Sequence, residues 1–254
     1  MLNPSFFVYS YCCFGIFYIG LFLLEKQLLL PIHQIDDETL DNFFPDNNLL
    51  LLNSLHKNFT FPEQQFFYIW GEQSSGKSHL LKAISNHFFL QQRPAIYVPL
   101  EKSCYFSPAV LENLEYQQLV CLDDLHTVIG NDEWELAIFD LFNRIKEIGK
   151  TLLLISANQS PTALPVKLPD LASRLRWGEI YQLTPLTDIQ KIQVLQQHAK
   201  ERGIELPDET SNFLLKRLER DMQTLLDALT QLDQASLQAQ RKLTIPFVKE
   251  ILKL

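Results

Sequence analysis

The chain has 254 residues, 46% of them hydrophobic and 20% charged, and a net charge of −8. That is a globular composition with enough apolar material for a sizeable core, in one large domain or two smaller ones. The acidic balance argues against a broad nucleic-acid-binding face, which needs clustered Lys and Arg to displace counterions from phosphates.

Residues 5–24 (SFFVYSYCCFGIFYIGLFLL) carry no charge and reach the roughly 20 residues that a bilayer-spanning helix requires. No basic segment precedes them, and Leu24-Glu25-Lys26 offers no small-residue cleavage site, so they do not read as a signal peptide. Two readings remain, a membrane anchor and an extension read from a start codon placed too far upstream. We expect the second, with residues 1–26 outside the native protein, for a reason given below. The four cysteines, Cys12, Cys13, Cys104 and Cys121, form no zinc or redox spacing and read as incidental or buried thiols of a reducing compartment.

Gln27-Leu28-Leu29-Leu30-Pro31-Ile32 is an apolar peptide headed by an amide and interrupted by proline, so it is extended rather than helical. Such a peptide docks in a groove through alternate side chains or packs as an edge strand or loop on its own domain, and pattern alone favours the latter. Asp36-Asp37-Glu38-Thr39 opens a polar stretch that leads to Phe43, Phe44 and Pro45, and residues 47–59 space their leucines as a helix does.

Gly71-Glu72-Gln73-Ser74-Ser75-Gly76-Lys77-Ser78 satisfies the P-loop spacing G-x-x-x-x-G-K-[ST]. The glycines let backbone N–H groups wrap a di- or triphosphate, Lys77 supplies a mobile charge, and the Ser78 hydroxyl suits Mg²⁺. The context agrees: residues 66–70 (FFYIW) are a buried-strand run, and from His79 a helical pattern begins whose N-terminus faces the phosphates. Gly71, Ser74, Ser75, Gly76, Lys77, Ser78 and His79 are therefore the expected nucleotide-binding residues.

Residues 95–100 (AIYVPL) read as a second strand and residues 118–124 (QLVCLDD) as a third ending in two carboxylates, a Walker B pattern. Asp123 is expected to hold Mg²⁺ together with Ser78, and Asp124 to orient the water that attacks a γ-phosphate. Residues 134–148 form an amphipathic helix closed by Gly149. Residues 151–156 are the next strand, with Asn158 just beyond its end, near where an attacking water would lie. Strands alternating with helices imply right-handed crossovers, a parallel sheet and a ligand at its carboxyl edge. Residues 168–178 (LPDLASRLRWG) then make a short helical turn from which Arg174, if it projects from the surface, can reach a phosphate on a neighbouring subunit, the alternative being a surface arginine in a salt bridge. From Leu186 the texture is helical throughout, in segments 188–202, 207–219, 221–240 and 245–252. The expected organisation is an α/β core over 36–184 with a small all-helical lid over 185–254, whose basic residues are interleaved with acids as solvated helix faces.

A P-loop core with Walker B, a strand-end polar residue, a trans-acting arginine and a helical lid is the layout of AAA+ proteins. From Gln27 to the end the chain resembles the DnaA regulatory inactivators, the Hda family of AAA+ initiator homologues. The stretches that carry the resemblance are Gln27 to Ile32, Asp36 to Thr39, Tyr97-Val98-Pro99-Leu100, Trp134 with residues 137–141, residues 168–177, residues 213–218 and the closing AQRKLTIPFVKEILKL. The resemblance implies a cytoplasmic regulator that binds ADP, with ATP possible, and Mg²⁺. It implies attachment to the DNA-loaded β sliding clamp, DNA being met mainly through the clamp, and hydrolysis promoted on the ATP of the initiator DnaA. Gln27, Leu28, Leu30, Pro31 and Ile32 match the clamp-binding peptide, Arg174 the arginine finger and Asn158 the sensor-1 position. Since that peptide lies near the free N-terminus in the family, a membrane anchor directly before it would hinder docking. The chain departs from the family at Gln223, which stands where a sensor-2 arginine is expected and leaves the ADP-versus-ATP preference open, with Arg220 as a substitute candidate. A homo-oligomer is compatible with the resemblance, and the alternative to it is an autonomous ATPase such as a helicase loader using Asp124 on its own nucleotide.

Overall fold

The computed structural model describes residues 38–45, 48–60 and 62–254. The expected apolar extension and the peptide at Gln27 to Ile32 lie outside the described residues.

Five parallel strands form one sheet: β1 (Phe66–Trp70), β2 (Ala95–Pro99), β3 (Leu119–Asp123), β4 (Leu152–Ala157) and β5 (Glu179–Gln182), in the order β2-β3-β4-β1-β5. The central strands β3 and β4 are buried at every position, which is why they read as unbroken apolar runs rather than as alternation. Register is set by pairs such as Leu119↔Leu152 and Phe66↔Leu153. Successive side chains then go to opposite faces. Val120, Leu122, Leu153 and Ile155 pack beneath α3 (Asp132–Ile148), against Ile138, Leu141, Phe142 and Ile145. Leu119, Cys121, Leu152 and Leu154 pack with Leu51 and Leu55 of α1 (Leu49–Asn58) and with Leu80, Ile84 and Phe88 of α2 (Lys77–Leu90). Fully burying such side chains contributes about 1.5–3 kcal/mol each.

Local chemistry sets the element ends. Asn131 caps α3 by accepting hydrogen bonds from the N–H groups of Glu133 and Trp134, so the helix starts two residues before the expected Trp134. Gly149 ends it with φ 75°, a conformation cheap only for glycine. Strand β5, which the sequence pattern does not announce, is a four-residue edge strand pairing Phe67↔Glu179 through Trp70↔Gln182.

The C-terminal helices are α5 (Asp188–Glu201), α6 (Asp208–Arg217), α7 (Met222–Ala239) and α8 (Ile245–Leu252), following the short α4 (Pro169–Arg174) that precedes β5. They share their own core, with Leu195, Leu214, Leu225, Leu229, Leu232, Phe247 and Val248 at its centre. Thr187 and Gln190 close a capping box at the start of α5, and Asp221 caps α7 through the Thr224 N–H. The architecture is thus a parallel α/β core with a C-terminal helical lid, as the sequence pattern predicts. Among the described residues no helix is long and apolar enough to cross a membrane.

Candidate nucleotide site

The carboxyl edge of the sheet gathers most of the residues singled out above. The Gly71 N–H donates to the carbonyl of Ala157 at 3.2 Å, so the end of β4, and with it the exposed Asn158, lies beside the entry to the P-loop. The loop turns through Ser74 at φ 59° and Gly76 at φ 95°, and Gly76 is the N-cap residue of α2. The N–H groups of the first turn therefore face the loop's concavity, the arrangement that holds phosphates. Lys77 is buried, and its Nζ donates to the carbonyls of Gly71 at 3.0 Å and Glu72 at 2.8 Å. Burial lowers its pKa, while the nearby charges of Asp124 and Asp123 oppose that shift.

Three strands converge on Asp123. Tyr97 of β2 donates to Oδ2 at 2.5 Å and the Ser156 hydroxyl of β4 donates to Oδ1. Ser156 Oγ in turn accepts the Asp124 N–H at 2.8 Å, holding Asp124 in the left-handed conformation at φ 57°. Burial raises the Asp124 pKa first, and the adjacent Asp123 charge adds to it. Tyr97 and Ser156 escaped the sequence reading; the only signal for Ser156 is a hydroxyl inside an otherwise apolar strand.

A cleft of about 210 Å³ runs from the P-loop to the lid, lined on the far side by Phe43, Thr184, Val194, His198, Met222 and Leu226. His79 stacks on Phe43 with centroids 6.0 Å apart and 25° between planes. Burial lowers its pKa, which favours the neutral imidazole. Two side-chain atoms here, Ser75 Oγ and His79 Nε2, are buried without a hydrogen-bond partner. Together with the loop's N–H groups and Lys77 they fit a nucleotide, which brings both phosphate acceptors and a polar, flat base. Ser78 lines the cleft beside Lys77, and its hydroxyl and the Asp123 carboxylate are the oxygen donors that would suit Mg²⁺. Among the described residues no cluster of three His, Cys, Asp or Glu could hold a metal ion.

Gln223 lines the cleft and its amide donates to Asp227 at 2.9 Å. Arg220 does not take over as its substitute: it is exposed and pairs with Asp188 at 3.2 Å, outside the cleft lining. Three positions along the chain turn the side chain away. Among the described residues that line the cleft, Lys77 is the one Lys or Arg.

Arg174 is not brought to this site. It ends α4 with its guanidinium carbon 3.7 Å from the centre of the Trp177 ring and 5.6 Å from that of Phe139. The Trp177 ring is edge-on to Phe66, and Gly178 lies so close to the Phe66 carbonyl that a Cβ there would stand 1.9 Å from the oxygen. Phe66 opens β1 and Gly71 follows its end, so a strand length, on the order of 16 Å, separates the Arg174 turn from the P-loop.

Residues 38–182 match the bacterial DnaA ATPase domain family and residues 188–252 the family described as the Hda lid domain. An uncharacterized protein of Haemophilus influenzae is 71% identical over 231 residues, covering 91% of this chain and all of the relative. Among solved structures, domain III of the Thermotoga maritima replication initiation protein DnaA superposes with a TM-score of 0.70 at 22% identity, over 86% of this chain and 96% of that one. DnaA of Aquifex aeolicus bound to AMPPCP follows at 0.64 and 19%, over 77% and 64%. The Holliday junction branch migration motor RuvB of T. maritima gives 0.60 and 17%, over 85% and 71%. At these identities the structural likenesses speak for the fold, while the paired core and lid matches speak for the family. With a DnaA-type ATPase core joined to an Hda lid, the chain belongs to the Hda family of AAA+ initiator homologues.

Proposed function

We propose that this protein is a negative regulator of replication initiation, an ADP-bound adaptor that docks on the DNA-loaded sliding clamp and promotes hydrolysis of the ATP held by the initiator DnaA. The observation that carries this reading is the separation of Arg174 from its own P-loop by the length of β1. An arginine so placed cannot neutralise charge on the nucleotide beside Lys77, but it is free to serve a phosphate presented by another protein.

In this account the P-loop backbone, Lys77 and the cleft wall at Phe43 and His79 hold the protein's own nucleotide. Ser78 and Asp123 would hold Mg²⁺, which would supply charge neutralisation. Gln27, Leu28, Leu30, Pro31 and Ile32 form the clamp-binding peptide, and the site of action is the cytoplasm. Binding the clamp gives the adaptor its contact with DNA, and a homo-oligomer is compatible with this reading.

A second reading, an autonomous ATPase such as a helicase loader, draws on one specific feature: Asp124 is a half-buried carboxylate beside Lys77 and Asp123, with Asn158 near the loop. The two readings separate in a reconstituted assay of DnaA, clamp-loaded DNA and this protein, with Gln27 and Leu30 intact or replaced by Ala. The adaptor reading expects loss of stimulated hydrolysis in the double variant with nucleotide binding unchanged. Turnover of about 1 per second or more without DnaA would favour the second.

A further inference from the structure

Trp177 carries two cations. The Arg174 guanidinium carbon lies 3.7 Å from its ring centre and Lys146 Nζ lies 3.9 Å from it. Two like charges that close to one centroid on the same face would be almost in contact, with no carboxylate between them. Among the described residues no ion pair engages either. The two arrive from different helices, Lys146 from the end of α3 and Arg174 from the end of α4. One cation on each face of the indole is the arrangement that satisfies both distances, and the ring's quadrupole attracts both.

Stacking has a consequence for hydrogen bonding. A guanidinium that lies flat on a ring spends its π face there and keeps its N–H donors in the plane, directed outward. None of the described hydrogen bonds uses the Arg174 guanidinium. A carboxylate partner would have fixed the same charge but consumed the donors that a phosphate needs.

The ring itself is firmly held. The Trp177 backbone N–H donates to the Arg174 carbonyl at 2.9 Å and fixes the turn, the indole meets Phe66 edge-on at 6.5 Å, and Gly178 sits against the Phe66 backbone. Trp177 is thus mounted on the first residue of a central strand rather than on a free loop. We infer that Trp177 is a positioning residue for Arg174, stacking the guanidinium so that its donor edge is already turned outward to a phosphate on a second protein. This rests on the proposed function, in which Arg174 acts on the nucleotide of DnaA.

The test measures ATP hydrolysis by DnaA with clamp-loaded DNA and increasing amounts of this protein, using the full chain. Arg174→Ala is the reference for the reading beneath the inference. Trp177→Leu is expected to lower the maximal stimulated rate about tenfold while the concentration giving half-maximal stimulation stays unchanged, and Trp177→Phe to recover most of the rate. A second series places mono-, di- and trifluorotryptophan at position 177, which weakens the ring's cation attraction at nearly constant volume, so that folding is preserved even where Leu is not tolerated. The maximal rate should fall stepwise with fluorine number. If Arg174→Ala abolishes stimulation while Trp177→Leu or the trifluoro chain keeps the full rate, the positioning role is overturned and the trans reading stands. Equal loss in the Leu and Phe variants likewise overturns it, because the aromatic face is then not the operative feature. Full stimulation by Arg174→Ala removes the reading on which the inference rests.

Discussion

The Tyr97 hydroxyl on β2 donates a 2.5 Å hydrogen bond to Asp123 Oδ2 at the end of β3, so an edge strand supports the carboxylate expected to carry Mg²⁺. Asp123 is 2% exposed, and its other oxygen is occupied by Ser156. Burial above all, and then the Asp123 charge, push the Tyr97 pKa far above any working pH, so the phenol remains a donor. Tyr97→Phe leaves a buried carboxylate short of one hydrogen bond. The expected cost is about 1–3 kcal/mol, read as a lower midpoint in chemical denaturation, together with weaker Mg²⁺-dependent nucleotide binding. Unchanged values in both measurements would mean that the hydroxyl does not support Asp123.

Asp124 makes the opposite prediction. Burial and the neighbouring Asp123 raise its pKa in the folded chain above the ordinary carboxylate value. For an acid shifted this way the folded state holds its proton longer than the unfolded one, so stability falls as pH rises from the unfolded pKa through the folded one. Asp124→Asn removes that dependence, and Asn tolerates the left-handed backbone at φ 57°. Its stability gain over the parent chain should be larger at pH 7 than at pH 4, measured by urea unfolding at both. A gain that is equal at the two pH values would contradict the cause assigned to the shift.

Lys77→Ala removes the buried ammonium that donates to the carbonyls of Gly71 and Glu72. Losing one charge-assisted contact to phosphate lowers affinity about 10- to 100-fold. Titration with a fluorescent ADP analogue reads the change directly, and affinity within twofold of the parent would place the nucleotide elsewhere.

Gly178→Ala puts a Cβ 1.9 Å from the Phe66 carbonyl oxygen, where backbone rather than a flexible side chain must yield. The pairing of β5 with β1 has to open, at a cost above about 3 kcal/mol. Gly149→Ala is the control: it has φ 75° and nothing within 4 Å of its added carbon, so strain alone costs about 1–2 kcal/mol. Thermal melts of the two variants should rank in that order.

The elements legible in the sequence are those whose signal is local. Residues 66–70, 118–124 and 151–156 read as strands because both faces of a central parallel strand are apolar, and the P-loop and its helix announce themselves by spacing. Strand β5 did not, because Glu179-Ile180-Tyr181-Gln182 is a four-residue edge with alternating burial that competes poorly with loop readings. The cleft's far wall, at Val194, His198, Met222 and Leu226, is assembled by the lid folding back. No spacing along the chain encodes that approach. The same applies to Tyr97, whose partner Asp123 is on a different strand, and to Trp177, whose relation to Lys146 depends on how α3 and α4 pack. Arg220 is the reverse case, near Gln223 in sequence but turned to Asp188 in space.

The central claim is that Arg174 acts on a nucleotide held by another protein, and the most direct measurement is the rate at which DnaA hydrolyses its bound ATP on clamp-loaded DNA, with the parent chain or with Arg174→Ala. An arginine finger is worth about 10³- to 10⁵-fold in rate. The account predicts that the variant binds nucleotide and clamp as the parent does yet leaves DnaA hydrolysis at its unstimulated rate; stimulation by the variant equal to that of the parent would contradict it.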